Sequence, residues 1–198
     1  DQAMKNTRSI IIQTAFEAIH KNGFHQLRID KEIAKLGITK GAFYHYFKSK
    51  GELLKAVIIE ILGPGFVKPW KSLVHSEEHI IDAIQHLLQN HIDQSSLAEI
   101  KYGCIYNNLV HEVSVELPEV REVLLVYFEE ILSYLEQAIS QGIVKDQIKP
   151  SLKPNDLSLL IMSVYNGSNS MNKLYQKSTP YKKSIKSIIL LLESIRNE

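Results

Sequence analysis

An all-α fold is predicted for this 198-residue chain, and three observations carry the prediction. Apolar residues recur at i, i+3, i+4 and i+7, the spacing of one helix face. Gly and Pro stand where such stretches stop and restart. No segment alternates apolar and polar residues between hairpin turns, and no repeat of fixed period is present. About nine helices account for the pattern, in two parts: a three-helix head within residues 4–50 and a larger helical body over residues 51–198.

The elements follow in chain order. Ile12, Ala15, Phe16 and Ile19 share one face of a first helix, which Asn6 or Thr7 caps and Gly23 ends in a left-handed conformation. Ile29, Ile33 and Leu36 repeat the spacing in a short second helix that stops at Gly37. Thr39 caps a third, over 40–46, carrying Ala42, Phe43, Tyr46 and Phe47. Ser49 caps a fourth, with Leu53, Leu54, Val57, Ile58 and Ile61 apolar. Gly63-Pro64-Gly65 reads as a break or kink, and Pro69 as a second disturbance. Ser76 reads as the cap of a helix reaching Ser95, with Glu77 and Glu78 in the dipole-favoured first turn. Ile80, Ile81, Ile84, Leu87, Leu88 and His91 or Ile92 form its inward face. A helix near 102–113 follows. Pro118 starts a long helix to Gln141, ended by Gly142; Pro154 opens another to Tyr175 and Pro180 the last, to Ile195.

Hydrophobic residues are 44% of the chain, enough for a packed core. No run of about 18 apolar residues marks a membrane span, and no charged stretch followed by an apolar run marks a secretory signal. Asp1-Gln2-Ala3, ahead of Met4, is given no weight. The single cysteine, Cys104, has no intrachain partner, which suits a reducing cytoplasm. The net charge of +1 excludes a uniformly basic or acidic chain, but it hides an asymmetry. Residues 1–50 hold nine Lys/Arg against four Asp/Glu, a net of +5; residues 51–198 hold fourteen against eighteen, a net of −4. A basic module on a mildly acidic remainder fits a nucleic-acid-binding head on a body that does not bind it.

Gly37-Ile38-Thr39 joins the second and third helices at helix-turn-helix spacing. The glycine allows the tight turn and Ile38 plugs the space between the helices. The third helix turns Lys40, Gly41, Ala42, Tyr44 and His45 away from its core residues, and small residues such as Ala42 allow close approach to a major groove. The stretch Gly37-Ile38-Thr39-Lys40-Gly41-Ala42-Phe43-Tyr44-His45-Tyr46-Phe47-Lys48-Ser49-Lys50-Gly51-Glu52-Leu53-Leu54 resembles the signature of TetR-type transcriptional regulators, with Ala15-Phe16 and Asn22-Gly23-Phe24 at the family's spacing upstream. The likeness is dense over residues 8–54. It implies that Thr39, Lys40, Gly41 and Ala42 face bases or nearby phosphates, and that Tyr44, His45 and Lys50 contact the backbone. Phe43, Tyr46 and Phe47 point inward by spacing. The second helix departs from the family pattern. Leu27-Arg28 replaces the usual hydroxyl pair, and Ile33-Ala34 comes one place late, with Glu32 at the expected Ile position. Arg28 offers a charged contact in place of a hydroxyl.

The resemblance also implies a homodimer on palindromic double-stranded operator DNA, a small-molecule effector bound by the body, and repression relieved by that effector. Two heads must in any case be held together to read half-sites about 34 Å apart. Ser163, Gly167 and Ser170 are small enough for close helix approach, and Ile185, Ile188, Ile189, Leu192 and Ile195 give the last helix a broad apolar face; an intersubunit four-helix bundle uses both. The alternative is that this face covers its own subunit. Candidate effector-pocket residues are Phe66, Trp70, Cys104, Tyr106, Asn107, Tyr127, Phe128, Tyr165 and Asn166, with Tyr134 and Met162 beside them. Gly103-Cys104-Ile105-Tyr106-Asn107-Asn108-Leu109 is similar to a segment of one subgroup, which opens an alternative: a response to electrophiles or oxidants through Cys104, with Lys101 or His111 favouring the thiolate. A small buried hydrophobe is the plainer role. Gly63-Pro64-Gly65 is a candidate hinge of helix four, and seven acidic residues between Glu112 and Glu136 read as a solvated face.

His75, His79, Asp82 and His86 share a stripe whose i, i+4 histidines can bind a transition metal, but it lies opposite Ile80, Ile84 and Leu87 and reads as solvated. No metal or cofactor is expected. No nucleophile elbow, Ser-His-Asp order or phosphate-cradling glycine loop points to an enzyme.

Overall fold

The computed structural model describes residues 2–150 and 153–197, and the side chains among them except those of residues 2–5 and 98. Among the described residues the elements are helical, and an isolated antiparallel bridge pairs Ile148 with Arg196. The chain divides into two compact units, Asp1–Gly65 with Ile105–Val126 and Phe66–Cys104 with Tyr127–Glu198.

The first unit begins with α1 (Gln2–Asn22). Asn6 and Thr7 lie inside this helix and do not cap it: Gln2-Ala3-Met4-Lys5 contains no breaker, so the helix starts a turn earlier than the capping residues suggest. Ile11, Ile12, Ala15 and Ile19 are its buried stripe. Gly23, at φ 82°, ends it. Arg28 stands before α2 (Ile29–Lys35) without a side-chain cap; its carbonyl accepts the N–H groups of Lys31 and Glu32. The end of α2 is closed by paired bonds, Ile38 N–H to Ile33 and Gly37 N–H to Ala34, with Gly37 at φ 66°. This closure requires the left-handed residue that glycine supplies without a Cβ clash. Thr39 Oγ1 accepts Ala42 N–H at 3.2 Å and starts α3 (Lys40–Tyr46); Ser49 Oγ accepts Glu52 N–H at 3.1 Å and starts α4 (Lys50–Val57).

Gly63-Pro64-Gly65 does not break the chain. A π-turn segment, Ile58–Leu62, leads directly into α5 (Gly63–Leu73), and Gly63 itself has helical angles. The reason is local. Proline lacks an N–H and its ring crowds the carbonyl four residues back. A wider i→i+5 turn just before Pro64 opens that site, so the helix continues. The guanidinium of Arg8 on α1 donates to both carboxylate oxygens of Glu60 in the wide turn, at 2.9 and 2.6 Å. Phe43, Phe47, Leu54, Val57 and Ile58 form the centre of this unit's core. From further along the chain, α8 (Ile105–Val113) and the start of α9 (Pro118–Val144) belong to it; Tyr106 O–H donates to the Leu124 carbonyl.

The second unit holds α6 (Ile80–Gln94), α7 (Leu97–Tyr102), the rest of α9, α10 (Pro154–Tyr175) and α11 (Thr179–Glu193). Three expected boundaries shift. Ser76 Oγ accepts Glu78 N–H but only closes a turn; the cap is His79, whose Nδ1 accepts Ile81 N–H at 3.2 Å. The expected helix over 102–113 is two helices, because Gly103 at φ 81° ends α7 before α8 begins. Gly142 does not end α9. It serves close packing there: a Cβ on it would sit 2.6 Å from Ile80 Cγ2. The unit's core runs through Trp70, Ile81, Ile84, Leu88, Ile131, Leu135, Ile161, Met162, Tyr165, Tyr181 and Ile188.

Candidate nucleic-acid interface

The geometry of α3 follows from its two sides. Phe43 and Phe47 are buried, with ring centroids 5.7 Å apart, and hold the helix against the unit's core. Lys40, Gly41, Ala42, Tyr44 and His45 are exposed on the other side, Tyr44 by 49%. No atom lies within 4 Å of where a Cβ on Gly41 would fall, so this part of the helix offers a low surface. Tyr46 is half-buried. Lys40 pairs with Asp30 of α2 at 2.9 Å, both side chains exposed, which is a weak and salt-screened tie. Thr39 is exposed, but its hydroxyl already accepts the α3 cap bond. Arg28 is exposed beside the start of α2, while Leu27, at the neighbouring departure from the family pattern, is buried.

Lys50 is held back from full exposure. Its ammonium donates to the His25 carbonyl at 3.2 Å and sits 4.4 Å from the centre of the Phe24 ring. Burial lowers its pKa, and the negative charge of Glu112 opposes that shift. Glu112 was grouped with a solvated acidic face by sequence. It instead accepts N–H groups from Phe24 and His25. A carboxylate 87 residues from its donor leaves no periodic signal that would have marked it.

The candidate effector residues fall into two sets. Phe66, Trp70 and Tyr165 meet in the second unit: Tyr165 is 6.4 Å from Phe66 and 5.3 Å, edge-on, from Trp70. His91 and Tyr181 complete the cluster, 5.0 and 6.1 Å from Tyr165. Sequence spacing offers His91 or Ile92 for the inward face of its helix and gives Tyr181 no role. The Tyr165 hydroxyl lies 3.3 Å from His91 Nδ1, and Asn169 Oδ1 is 3.3 Å from His91 Nε2. Burial lowers the His91 pKa against the opposing pull of the Asn169 contact and Glu99. Burial also raises the Tyr165 pKa well above the ordinary phenol value, with Cys104 the next contributor. Cys104 is half-buried, and Asn166, Tyr127, Phe128 and Tyr134 are partly buried in the same unit; Met162 is fully buried. Tyr106 and Asn107 belong to the first unit.

On the last two helices, the four residues Ile185, Ile188, Ile189 and Leu192 are 2–8% exposed and pack into the core of their own chain. The broad apolar face is thus divided. Leu190 and Leu191, 63% and 62% exposed, lie on its outer side. On α10, Leu159, Leu160, Ser163, Gly167, Ser170, Met171 and Leu174 form one exposed stripe. The histidine stripe is taken apart by the later start of α6. His79 Nε2 lies 3.0 Å from the Gln147 carbonyl, His86 pairs with Glu78 at 2.7 Å, and Asp82 pairs with Arg196. Among the described residues no three His, Cys, Asp or Glu side chains gather to hold a metal ion, and no helix is long and apolar enough to cross a membrane.

A short exposed helix, seated by two buried phenylalanines and joined to its predecessor through a left-handed glycine, defines a helix-turn-helix protein. Comparison with known proteins gives the family. "Bacterial regulatory proteins, tetR family" matches residues 11–57, and "Tetracyclin repressor-like, C-terminal domain" matches residues 81–188. The chain belongs to the TetR family of helix-turn-helix transcriptional regulators. Among similar proteins, an uncharacterized HTH-type transcriptional regulator of Lactococcus lactis is 27% identical over 71% of this chain and 69% of its own length. The fatty acid metabolism regulator protein of Bacillus subtilis is 27% identical over 72% of this chain and 71% of its own. A TetR transcriptional regulator from Chloroflexus aurantiacus shares the fold over the full length of both chains, with a TM-score of 0.86 at 19% identity. Operator binding, dimerisation and small-molecule effectors are typical of the family.

Proposed function

We propose that this regulator is a homodimeric repressor that leaves a palindromic operator when a small molecule binds its body. The observation that carries the reading is the two-sided α3. Its buried Phe43 and Phe47 leave Lys40, Gly41, Ala42, Tyr44 and His45 outward, a helix shaped for a major groove. In this reading Gly41 and Ala42 approach base edges, Thr39 and Lys40 face bases or nearby phosphates, and Tyr44, His45, Lys50 and Arg28 contact the backbone. Residues 4–50 are the DNA-binding part and residues 51–198 the effector-binding and dimerisation part. The exposed stripe of α10, with Leu190 and Leu191 of α11, pairs with its copy in a four-helix bundle, and Ser163, Gly167 and Ser170 let the helices approach. The effector binds beside the aromatic cluster of Phe66, Trp70 and Tyr165. The protein acts by binding in the cytoplasm, not by catalysis.

The test is titration of the protein with DNA duplexes enriched from a random pool. Affinity is expected to fall steeply as salt rises, and a single half-site to bind far more weakly than the palindrome. Tyr44→Ala removes a hydrogen bond to a charged phosphate, worth about 1.5–3 kcal/mol, and is expected to weaken binding tenfold or more. Enrichment of no duplex, or salt-independent binding, overturns the reading.

A further inference from the structure

The loop between α1 and α2 is held by a side chain from a distant part of the sequence. Glu112, in the last turn of α8, accepts Phe24 N–H on Oε2 at 2.9 Å and His25 N–H on Oε1 at 2.8 Å. Two successive amides on one carboxylate make a small anion nest, and charge-assisted bonds of this kind are roughly twice as strong as neutral ones. The His25 ring meets the same residue again, with Nε2 3.1 Å from the Glu112 carbonyl oxygen, and it lies 3.7 Å from Glu116. Gly23 is shaped to this contact as well as to its turn: a Cβ there would fall 2.9 Å from Glu112 Oε1.

The next link leads to the DNA-facing side. The His25 carbonyl accepts from Lys50 Nζ at 3.2 Å, and the same ammonium rests over the Phe24 ring at 4.4 Å. Both residues that hold Lys50 are therefore the two whose amides Glu112 fixes. An ammonium carries three N–H groups, so one given to His25 leaves two for a phosphate. A lysine whose stem and one donor are already placed loses less freedom on binding than one free in solvent.

We infer that Glu112 is a positioning residue for DNA binding: by fixing the Phe24 and His25 amides it aims Lys50 at the phosphate backbone. This rests on the reading that the head binds DNA, and the experiment separates the two. A duplex enriched by the wild-type protein is titrated at a temperature where circular dichroism shows every variant folded. Glu112→Ala is expected to bind about tenfold more weakly, and Glu112→Gln, which keeps one acceptor oxygen, to lie between it and wild type. Lys50→Ala and the double variant complete a cycle, in which the double variant is expected to bind no more weakly than Lys50→Ala alone. Faster exchange confined to the Phe24 and His25 amides in Glu112→Ala completes the expected pattern. Binding by Glu112→Ala within twofold of wild type, or losses that simply add in the double variant, overturns the inference. A wild-type protein that enriches no duplex overturns the DNA reading itself, before any variant is made.

Discussion

The head helices and the body helices are stabilised in different ways. α2 and α3 have seven residues each, and each buries one side chain of its own, Ile33 and Phe43. Helices this short are not stable alone. They are fixed at their ends instead, by the Thr39 cap and the Gly37 closure, while Ser49 caps α4 and Glu112 ties down the loop before α2. α10, with 22 residues, and α11, with 15, bury continuous stripes such as Ile161, Met162, Tyr165 and Ile185, Ile188, Ile189, Leu192. α10 and α11 spread their stability over many apolar contacts, whereas α2 and α3 concentrate theirs at a few points. That concentration leaves the outer face of α3 free of packing duties.

The largest expected effect tests the part the two regions share. Phe43→Ala in the head and Trp70→Ala in the body each remove a buried aromatic, at a cost of about 3–5 kcal/mol. Urea denaturation followed by circular dichroism measures both. A loss under 1 kcal/mol for Phe43→Ala would show that α3 does not depend on the one side chain it buries.

Next comes a pair of glycines within the head. Gly37→Ala meets open space and carries only the left-handed penalty, about 1–2 kcal/mol. Gly23→Ala carries the same penalty and also displaces the Glu112 carboxylate, so it is expected to cost more and to weaken operator binding as well. Denaturation midpoints and operator titration check this; equal losses in both variants would remove the special role of the nest.

The smallest effect lies in the body. Burial lowers the His91 pKa, so the folded state holds this ring neutral while the unfolded chain takes up a proton near the ordinary histidine value, about 6.5. Its contribution to stability is present above that value and is lost as pH falls through it toward the lowered folded pKa. Comparing denaturation midpoints at pH 7.5 and 5.5, His91→Asn is expected to lose less stability on acidification than wild type. An unchanged difference would mean that His91 is not the buried titrating group.

What was legible in the sequence follows from the range of the interactions. Thr39, Ser49, Gly23 and Gly37 act on residues within five positions, and their roles could be read directly. Phe43 and Phe47 were placed inside by spacing alone. The misreadings share a cause. Ser76 and Gly142 carry local signals for a cap and a stop, yet His79 supplies the cap and close packing by Ile80 explains the glycine. The apolar surface of α11 is wider than one interface needs, so the sequence could not say that Ile185 and Ile188 face inward while Leu190 and Leu191 face out. Glu112 and His91 act through partners 74 to 88 residues away, which no local pattern encodes.

The wide turn at Ile58–Leu62 ties the length of this helix to the proline that follows it. An i→i+5 turn absorbs one residue more than an α-turn. Leu53, Leu54 and Val57 before it and Val67 and Trp70 after it are buried on either side of that extra residue. Removing one residue there would bring the Pro64 ring back against the carbonyl four residues before it, so the helix is expected to bend or end at that point.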